Sequence, residues 1–165
     1  MGSSQIEVVT SGALSRFGEV AWANRHRVHR AWLISPWIGT STGRGDPLSY
    51  LTEALAGCAH FWVLTREPTS DWHANAMKVL RANASPAVLY NDDLHAKLYL
   101  LDCNGFRYAL LGSPNLTPRA NKVNRELAIE FKSTADPNAN RLADVIEELI
   151  AFASVLLQDP DSRLQ

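Results

Sequence analysis

The sequence predicts an α/β fold, a single domain built on a mixed β-sheet flanked by helices on both faces. Three observations predict it. Short apolar runs alternate with helical patterns as far as Tyr90, an order that implies crossover connections between strands. Two further apolar runs are separated by little more than Asn104-Gly105, which implies an antiparallel hairpin. The C-terminal stretch then carries one long stripe of apolar residues at helical spacing.

Taken in order, Ile6 to Thr10 forms a short strand, and Ser11 caps a helix whose apolar positions Leu14, Phe17 and Ala21 recur at helical spacing. Ala31 to Trp37 is a buried strand. Gly39 to Gly45 is a polar, glycine-rich loop, and Asp46 followed by Pro47 gives the N-cap and first turn of a helix ending at Gly57. Phe61 to Thr65 makes another strand, Ser70 caps a helix running through Arg81, and Ala87 to Tyr90 is a strand leading into the hairpin. Leu142, Val145, Ile146, Leu149, Ile150 and Phe152 mark an amphipathic helix from Asn140 to Leu157. The sheet is expected to be parallel in its first half and antiparallel in its second.

At 165 residues the chain is long enough for one core and short for two, so a single domain over 1–165 is expected. Apolar content is 46% and charged content 20%, normal for a soluble globule, and no apolar run approaches the roughly 20 residues that cross a bilayer. No transmembrane helix and no membrane partner are expected. Met1-Gly-Ser-Ser-Gln5 lacks the basic and apolar regions of a secretion signal, and two cysteines, Cys58 and Cys103, suit a reduced, cytoplasmic protein. A disulfide between them stays open at this point. With 16 basic and 17 acidic residues the net charge is −1, so no global field draws polyanions and nucleic-acid binding must come from a local patch. Arg25, Arg27 and Arg30 form the densest basic cluster, supplemented by Arg119, Lys122 and Arg125. The competing reading of such a run is a solvated charged face.

The chemistry-bearing residues gather elsewhere. His95-Ala-Lys-Leu-Tyr-Leu-Leu-Asp102 reads as a strand, and period-two alternation sends His95, Lys97 and Tyr99 to one face. The return strand Arg107 to Gly112 brings Ser113 and Asn115 back to the end that carries His95, and Gly112 is expected to let the backbone approach a ligand closely. An imidazole, a cation, a hydroxyl and an amide are the groups that phosphoryl transfer needs without a metal. No cofactor is called for. His26, His29, His60 and His73 are scattered without zinc spacing and read as surface or packing residues. The five tryptophans read as core or interface, with Trp37, beside the glycine-rich loop, also placed to line a substrate groove.

His95, Lys97 and Asp102 with Gly112-Ser113-Pro-Asn115 resemble the HxKxxxxD…GSxN signature of the phospholipase D superfamily, over about residues 95 to 131. Ala31 to Trp37 resembles the family's early strand more loosely. Nine residues separate Asp102 from Gly112, where the family commonly has six, and the surplus is expected to lengthen the hairpin only. The resemblance implies the family's α/β sandwich. It also implies catalytic roles for His95, Lys97, Ser113 and Asn115, with Glu126 as a downstream carboxylate that fixes the imidazole tautomer; Asp102 and Gly112 are structural members of the motif. Since the chain holds one such signature and in-line displacement uses two imidazoles, two chains must meet in a homodimer. The expected function is a metal-independent nuclease acting on DNA or RNA through a phosphohistidine, similar to bacterial nucleases and restriction-enzyme catalytic domains of the family, with a defence role implied by resemblance alone. The alternatives are a phospholipase or phosphatidyl transferase, and a dimeric nucleic-acid-binding module docking onto an ATPase or helicase partner.

Overall fold

In the computed structural model, residues 5–41, 46–122, 124–134 and 140–165 are described, without the side chains of residues 121, 122 and 140. The glycine-rich loop falls mostly outside them. The described chain forms one eight-stranded sheet: β1 (Gln5–Val9), β2 (Val28–Ile34), β3 (His60–Thr65), β4 (Ala87–Tyr90), β5 (Leu98–Cys103), β6 (Phe106–Gly112), β7 (Ala128–Thr134) and β8 (Arg163–Leu164). The helices are α1 (Ala13–Ala23), α2 (Pro47–Leu55), α3 (Asp71–Asn83), α4 (Pro118–Lys122) and α5 (Asn140–Gln158). Strand order is β1-β7-β6-β5-β2-β3-β4-β8. β2, β3 and β4 run parallel, and every other pairing is antiparallel. The mixed sheet is therefore as expected, except that β1, first in the chain, crosses to the far antiparallel edge beside β7. Sequence reading gave Ala128–Thr134 no element, because its alternation buries Glu130 and exposes Ile129.

Two apolar layers cover the sheet. Phe17 of α1 packs between Tyr99 and Tyr108, 5.7 Å from each ring, in a core that also takes Leu48 and Leu51 of α2 and Met77 and Leu80 of α3. On the opposite face Ile146, Ile150 and Ala153 of α5 pack with Trp32, Leu98, Leu100 and Phe131. Strand alternation sorts them: Tyr99 and Leu101 face α1, whereas Leu98 and Leu100 face α5. Inside the first layer the Glu130 carboxylate is buried, accepting from Tyr108 Oη at 2.7 Å and Arg16 Nε at 3.0 Å, with Lys132 paired to it. Burial alone raises its pKa, but Lys132, Tyr108 and Arg16 together hold it below the usual carboxylate value.

Capping chemistry is mixed. Asp46 accepts from Ser49 N at 3.1 Å, the cap that Asp-Pro predicts. Ser11 does not cap α1: the N-cap is Gly12, in the left-handed region at φ 62°, with no side-chain cap bond. Ser70 occupies the N-cap position of α3 without a side-chain bond, and its Oγ is buried and unpartnered among the described residues. At the hairpin, Cys103 pairs with Phe106 across Asn104-Gly105, and only Gly105 takes a positive φ, 79°. The nine residues between Asp102 and Gly112 thus lie in the end of β5, a two-residue turn and β6. Cys58 and Cys103 are free thiols, and burial pushes Cys103 up to about 12. No helix among the described residues is long and apolar enough to cross a membrane.

Candidate active site

The carboxyl ends of the parallel strands β2, β3 and β4 lie at one edge of the sheet, where open α/β sheets place their ligand crevices. Antiparallel β5 begins at that same edge, because Ile34 at the end of β2 pairs with Leu98. His95 and Lys97 sit just before this start. They are not strand residues as the alternation predicted: regular pairing begins at Leu98, since β6 ends at Gly112 and offers no further ladder. One bond continues past it, Gly112 N to the Lys97 carbonyl at 3.3 Å. A turn held by Asn91, whose Oδ1 accepts from Asp93 N at 3.0 Å, seats Leu94 in the core and leaves His95 exposed at the edge. The Lys97 ammonium donates to the His95 carbonyl at 3.0 Å.

The loop after β6 returns to this edge, as expected. Its backbone is fixed from three sides: Tyr99 Oη donates to the Pro114 carbonyl at 2.7 Å, Leu116 N donates to the buried Ser35 Oγ at 3.0 Å, and Gly39 N donates to the Leu116 carbonyl at 2.8 Å. Burial pushes the Tyr99 phenol pKa up, which keeps it a donor. Ser113 bonds both ways with Leu127, its N to the Leu127 carbonyl at 2.9 Å and Leu127 N to its Oγ at 3.0 Å. The Ser113 hydroxyl donates to Glu126, whose other oxygen accepts from Asn124 Nδ2 at 3.1 Å. The structure therefore joins Ser113 and Glu126 directly. Asn115 Oδ1 is buried and has no partner among the described residues.

Gly112 has a different purpose from the one read in the sequence. A Cβ there would lie 2.3 Å from the Leu127 carbonyl oxygen and 2.6 Å from Ala128 Cα, so the close approach is to the backbone of β7, not to a ligand. Asp102 stands away from His95, tied into the fold by its ion pairs. It lies buried at the other end of β5, about 13 Å along the strand from Leu98 at ~3.3 Å per residue. There it accepts from Arg30 Nε at 2.9 Å and pairs with Arg107 at 3.3 Å and His29 at 3.4 Å.

That placement also separates the basic residues. Arg30 is opposite Asp102 in the β2/β5 register, Arg27 donates to the Asn104 carbonyl, and Arg25 donates to the Trp22 carbonyl at 2.9 Å while stacking on the Trp22 ring. Arg27 and Arg30 thus contact the hairpin end of the sheet and Arg25 the end of α1, away from His95. Their guanidiniums are held by local acceptors that their sequence spacing does not reveal. Arg119 and Arg125 are exposed on the segment between Asn115 and β7, on the His95 side; the Lys122 side chain lies outside the described residues.

Sequence reading missed Arg66. It follows β3 directly, and its Nε donates to the Leu94 carbonyl at 3.0 Å while Nη2 lies 3.2 Å from His95 Nε2. Its guanidinium carbon sits 5.3 Å from the Trp37 ring centre. The available signal was its position, the first residue past the carboxyl end of a parallel strand. Trp37 is half-buried at this edge, and Trp72, 49% exposed, stands 6.2 Å from it. Among the described residues no group of three or more His, Cys, Asp or Glu is arranged to hold a metal ion.

Neither a family model nor a curated protein matches the sequence. Solved structures do match its fold. Nuc from Salmonella typhimurium, a phospholipase D family member, superposes at TM-score 0.71 with 17% identity, over 99% of both chains. NucT from Helicobacter pylori superposes at 0.68 with 9% identity, over 99% of this chain and all of that one. Polyphosphate kinase from Porphyromonas gingivalis gives 0.59 at 12% identity, over 88% of this chain and 25% of the kinase. The fold of this chain is that of the phospholipase D family, and the signature residues His95, Lys97, Ser113 and Asn115 stand together at one edge of its sheet.

Proposed function

We propose that the chain is a metal-independent phosphodiesterase, a nuclease cleaving DNA or RNA at a site completed by a second copy. The observation that carries this reading is the convergence at one sheet edge of an exposed imidazole, a lysine, and a loop that is rigid in its backbone and carries a hydroxyl, an amide and a carboxylate. Those groups can bind and attack a phosphodiester, while a single imidazole cannot both attack phosphorus and protonate the departing oxygen.

In the proposed reaction, Nε2 of one neutral His95 attacks phosphorus in line, a P–N bond forms and the P–O bond to the leaving alcohol breaks. The other subunit's imidazolium gives its proton to that oxygen. Water then attacks the phosphohistidine, yielding its proton to the now neutral second imidazole, and the P–N bond breaks. Lys97 and Asn115 of both chains hold the non-bridging oxygens. Ser113 turns its hydroxyl from Glu126 to the phosphoryl group, which frees the carboxylate to accept the Nδ1–H of His95. The buried, unpartnered Asn115 Oδ1 supports a site that is incomplete in one copy, since an orphaned acceptor costs about 1–3 kcal/mol until a donor arrives. A role in restriction or defence, with an ATPase or helicase presenting substrate, belongs to the same proposal.

The test is direct. Single-stranded and duplex DNA, RNA and a phosphatidylcholine substrate are each incubated with the protein in EDTA, beside His95→Ala. We expect nucleic-acid cleavage that survives chelation and falls by at least about 1,000-fold in the variant. Lipid release alone would move the site to the phospholipase class; DNA binding without any cleavage would favour the docking module. Activity lost in EDTA and restored by a divalent cation would defeat the proposed chemistry.

A further inference from the structure

We propose that Arg66 belongs to the site as the residue that sets the His95 imidazole for attack and takes a non-bridging phosphoryl oxygen; this rests on the phosphodiesterase reading above. Arginine has five N–H donors and no acceptor, so a contact between Nη2 and His95 Nε2 requires that Nε2 present its lone pair. The ring proton of the neutral imidazole is then on Nδ1. This is the tautomer a nucleophilic Nε2 needs, and Arg66 supplies it in the free protein, where the Glu126 oxygens are engaged by Ser113 and Asn124.

The guanidinium is also held ready. The Leu94 carbonyl takes Nε–H, and the face of Trp37 lies against the group, so its plane is set by two contacts that do not involve substrate. Two donors are thereby used. Both hydrogens on Nη1 and the second on Nη2 have no partner among the described residues. They form one edge of a planar fork a hydrogen-bond length from the attacking nitrogen. When a phosphate reaches Nε2, Nη2–H leaves the lone pair that forms the P–N bond and turns with the free edge to the arriving non-bridging oxygens, a charge-assisted, bidentate pairing. The protonated imidazole of the second subunit cannot accept at Nε2, so there the Arg66 contact opens. The two copies of one residue thus serve the nucleophile and the acid differently.

Arg66→Ala and Arg66→Lys are assayed on bis(p-nitrophenyl) phosphate in EDTA, with melting temperatures measured alongside. Arg66→Ala should lose about 100-fold in kcat/KM, the scale of removing a preorganised donor to a transition-state oxyanion. Free guanidinium at millimolar concentration should restore part of it, whereas Arg66→Lys keeps charge without the fork and should fall between. Trp37→Leu, which leaves the guanidinium but frees its plane, should give a smaller loss. Long-range proton–nitrogen NMR of His95 should show the Nδ1–H form in the wild type and a shift toward Nε2–H in Arg66→Ala. An Arg66→Ala enzyme within about twofold of wild type, or a wild-type imidazole carrying its proton on Nε2, overturns the assignment. If the wild type cleaves nothing, the phosphodiesterase reading fails, and Arg66 is judged by the tautomer and by affinity for inorganic phosphate. A tenfold or greater weakening in Arg66→Ala supports its role there, and unchanged affinity refutes it.

Discussion

His73 shows how a single residue beneath the site ties stability to pH. It is fully buried against Trp37 and Trp72, with ring centres 5.9 and 5.5 Å away. The Thr65 hydroxyl gives its one hydrogen to the Pro36 carbonyl at 3.2 Å, so His73 Nε2, also 3.2 Å away, must donate to Thr65. Nδ1 is left as a lone pair without a partner, and protonation would convert it to an unsatisfied buried donor. Burial accordingly lowers the pKa to about 4 from 6.5. Between those values the unfolded chain holds a proton that the folded chain refuses, so the contribution is complete above 6.5 and is lost as pH falls toward 4. From pH 7 to pH 5 this should remove about 2 kcal/mol. Urea midpoints across that range should drop less for His73→Gln than for the wild type; parallel slopes would rule the account out. The sequence marked His73 only as surface or packing, because nothing local says that Trp37, thirty-six residues earlier, closes over it.

Among the elements, the β6–β7 pair decides whether the site loop keeps its shape. Gly112 pairs with Ala128 at the last rung before Ser113, and the missing side chain lets the Leu127 carbonyl lie where a Cβ would be. Gly112→Ala must push β7 away, and overpacking of this kind costs about 1–3 kcal/mol. The same displacement parts Ser113 from Leu127 and Glu126, so activity should fall more than stability does. A urea midpoint and a rate equal to wild type would show that the strands have slack. Much at this scale was legible in sequence: the strand runs, the Asp46-Pro47 helix start and the amphipathic α5 follow from local periodicity and capping. What was not legible depended on partners distant in the chain. β7 hides because its inward face carries Glu130, neutralised by Arg16 and Lys132, and His95 leaves the ladder because β6 stops opposite it. The candidate site residues stand out in sequence through their types and offsets; the surroundings of Arg66, and the acceptors that hold Arg25, Arg27 and Arg30, depend on how the sheet is assembled.

For the whole molecule, the question is how many chains make one reaction centre. The described fold buries one continuous sheet between two apolar layers, yet it leaves His95 exposed, Asn115 Oδ1 unpartnered and a single imidazole at the edge. A two-fold axis passing beside His95 would bring a second imidazole to the same phosphorus at no cost in new sequence. Such sharing has a signature that activity loss in one variant lacks. Wild type and His95→Ala, mixed in equal amounts and allowed to exchange subunits, form half of all dimers with one imidazole each. If attack and protonation come from different chains, those mixed dimers are inactive, and the mixture should give about half the rate of its wild-type component alone. If each chain works by itself, the added variant changes nothing. Inhibition cannot come from an unfolded variant, because the variant must fold and pair in order to inhibit, and the melting temperature of His95→Ala checks the opposite outcome. Sedimentation of the mixture separates the remaining case: a fully active protein found only as monomers would remove the second imidazole from the mechanism and require the proton to come from another group at the same edge.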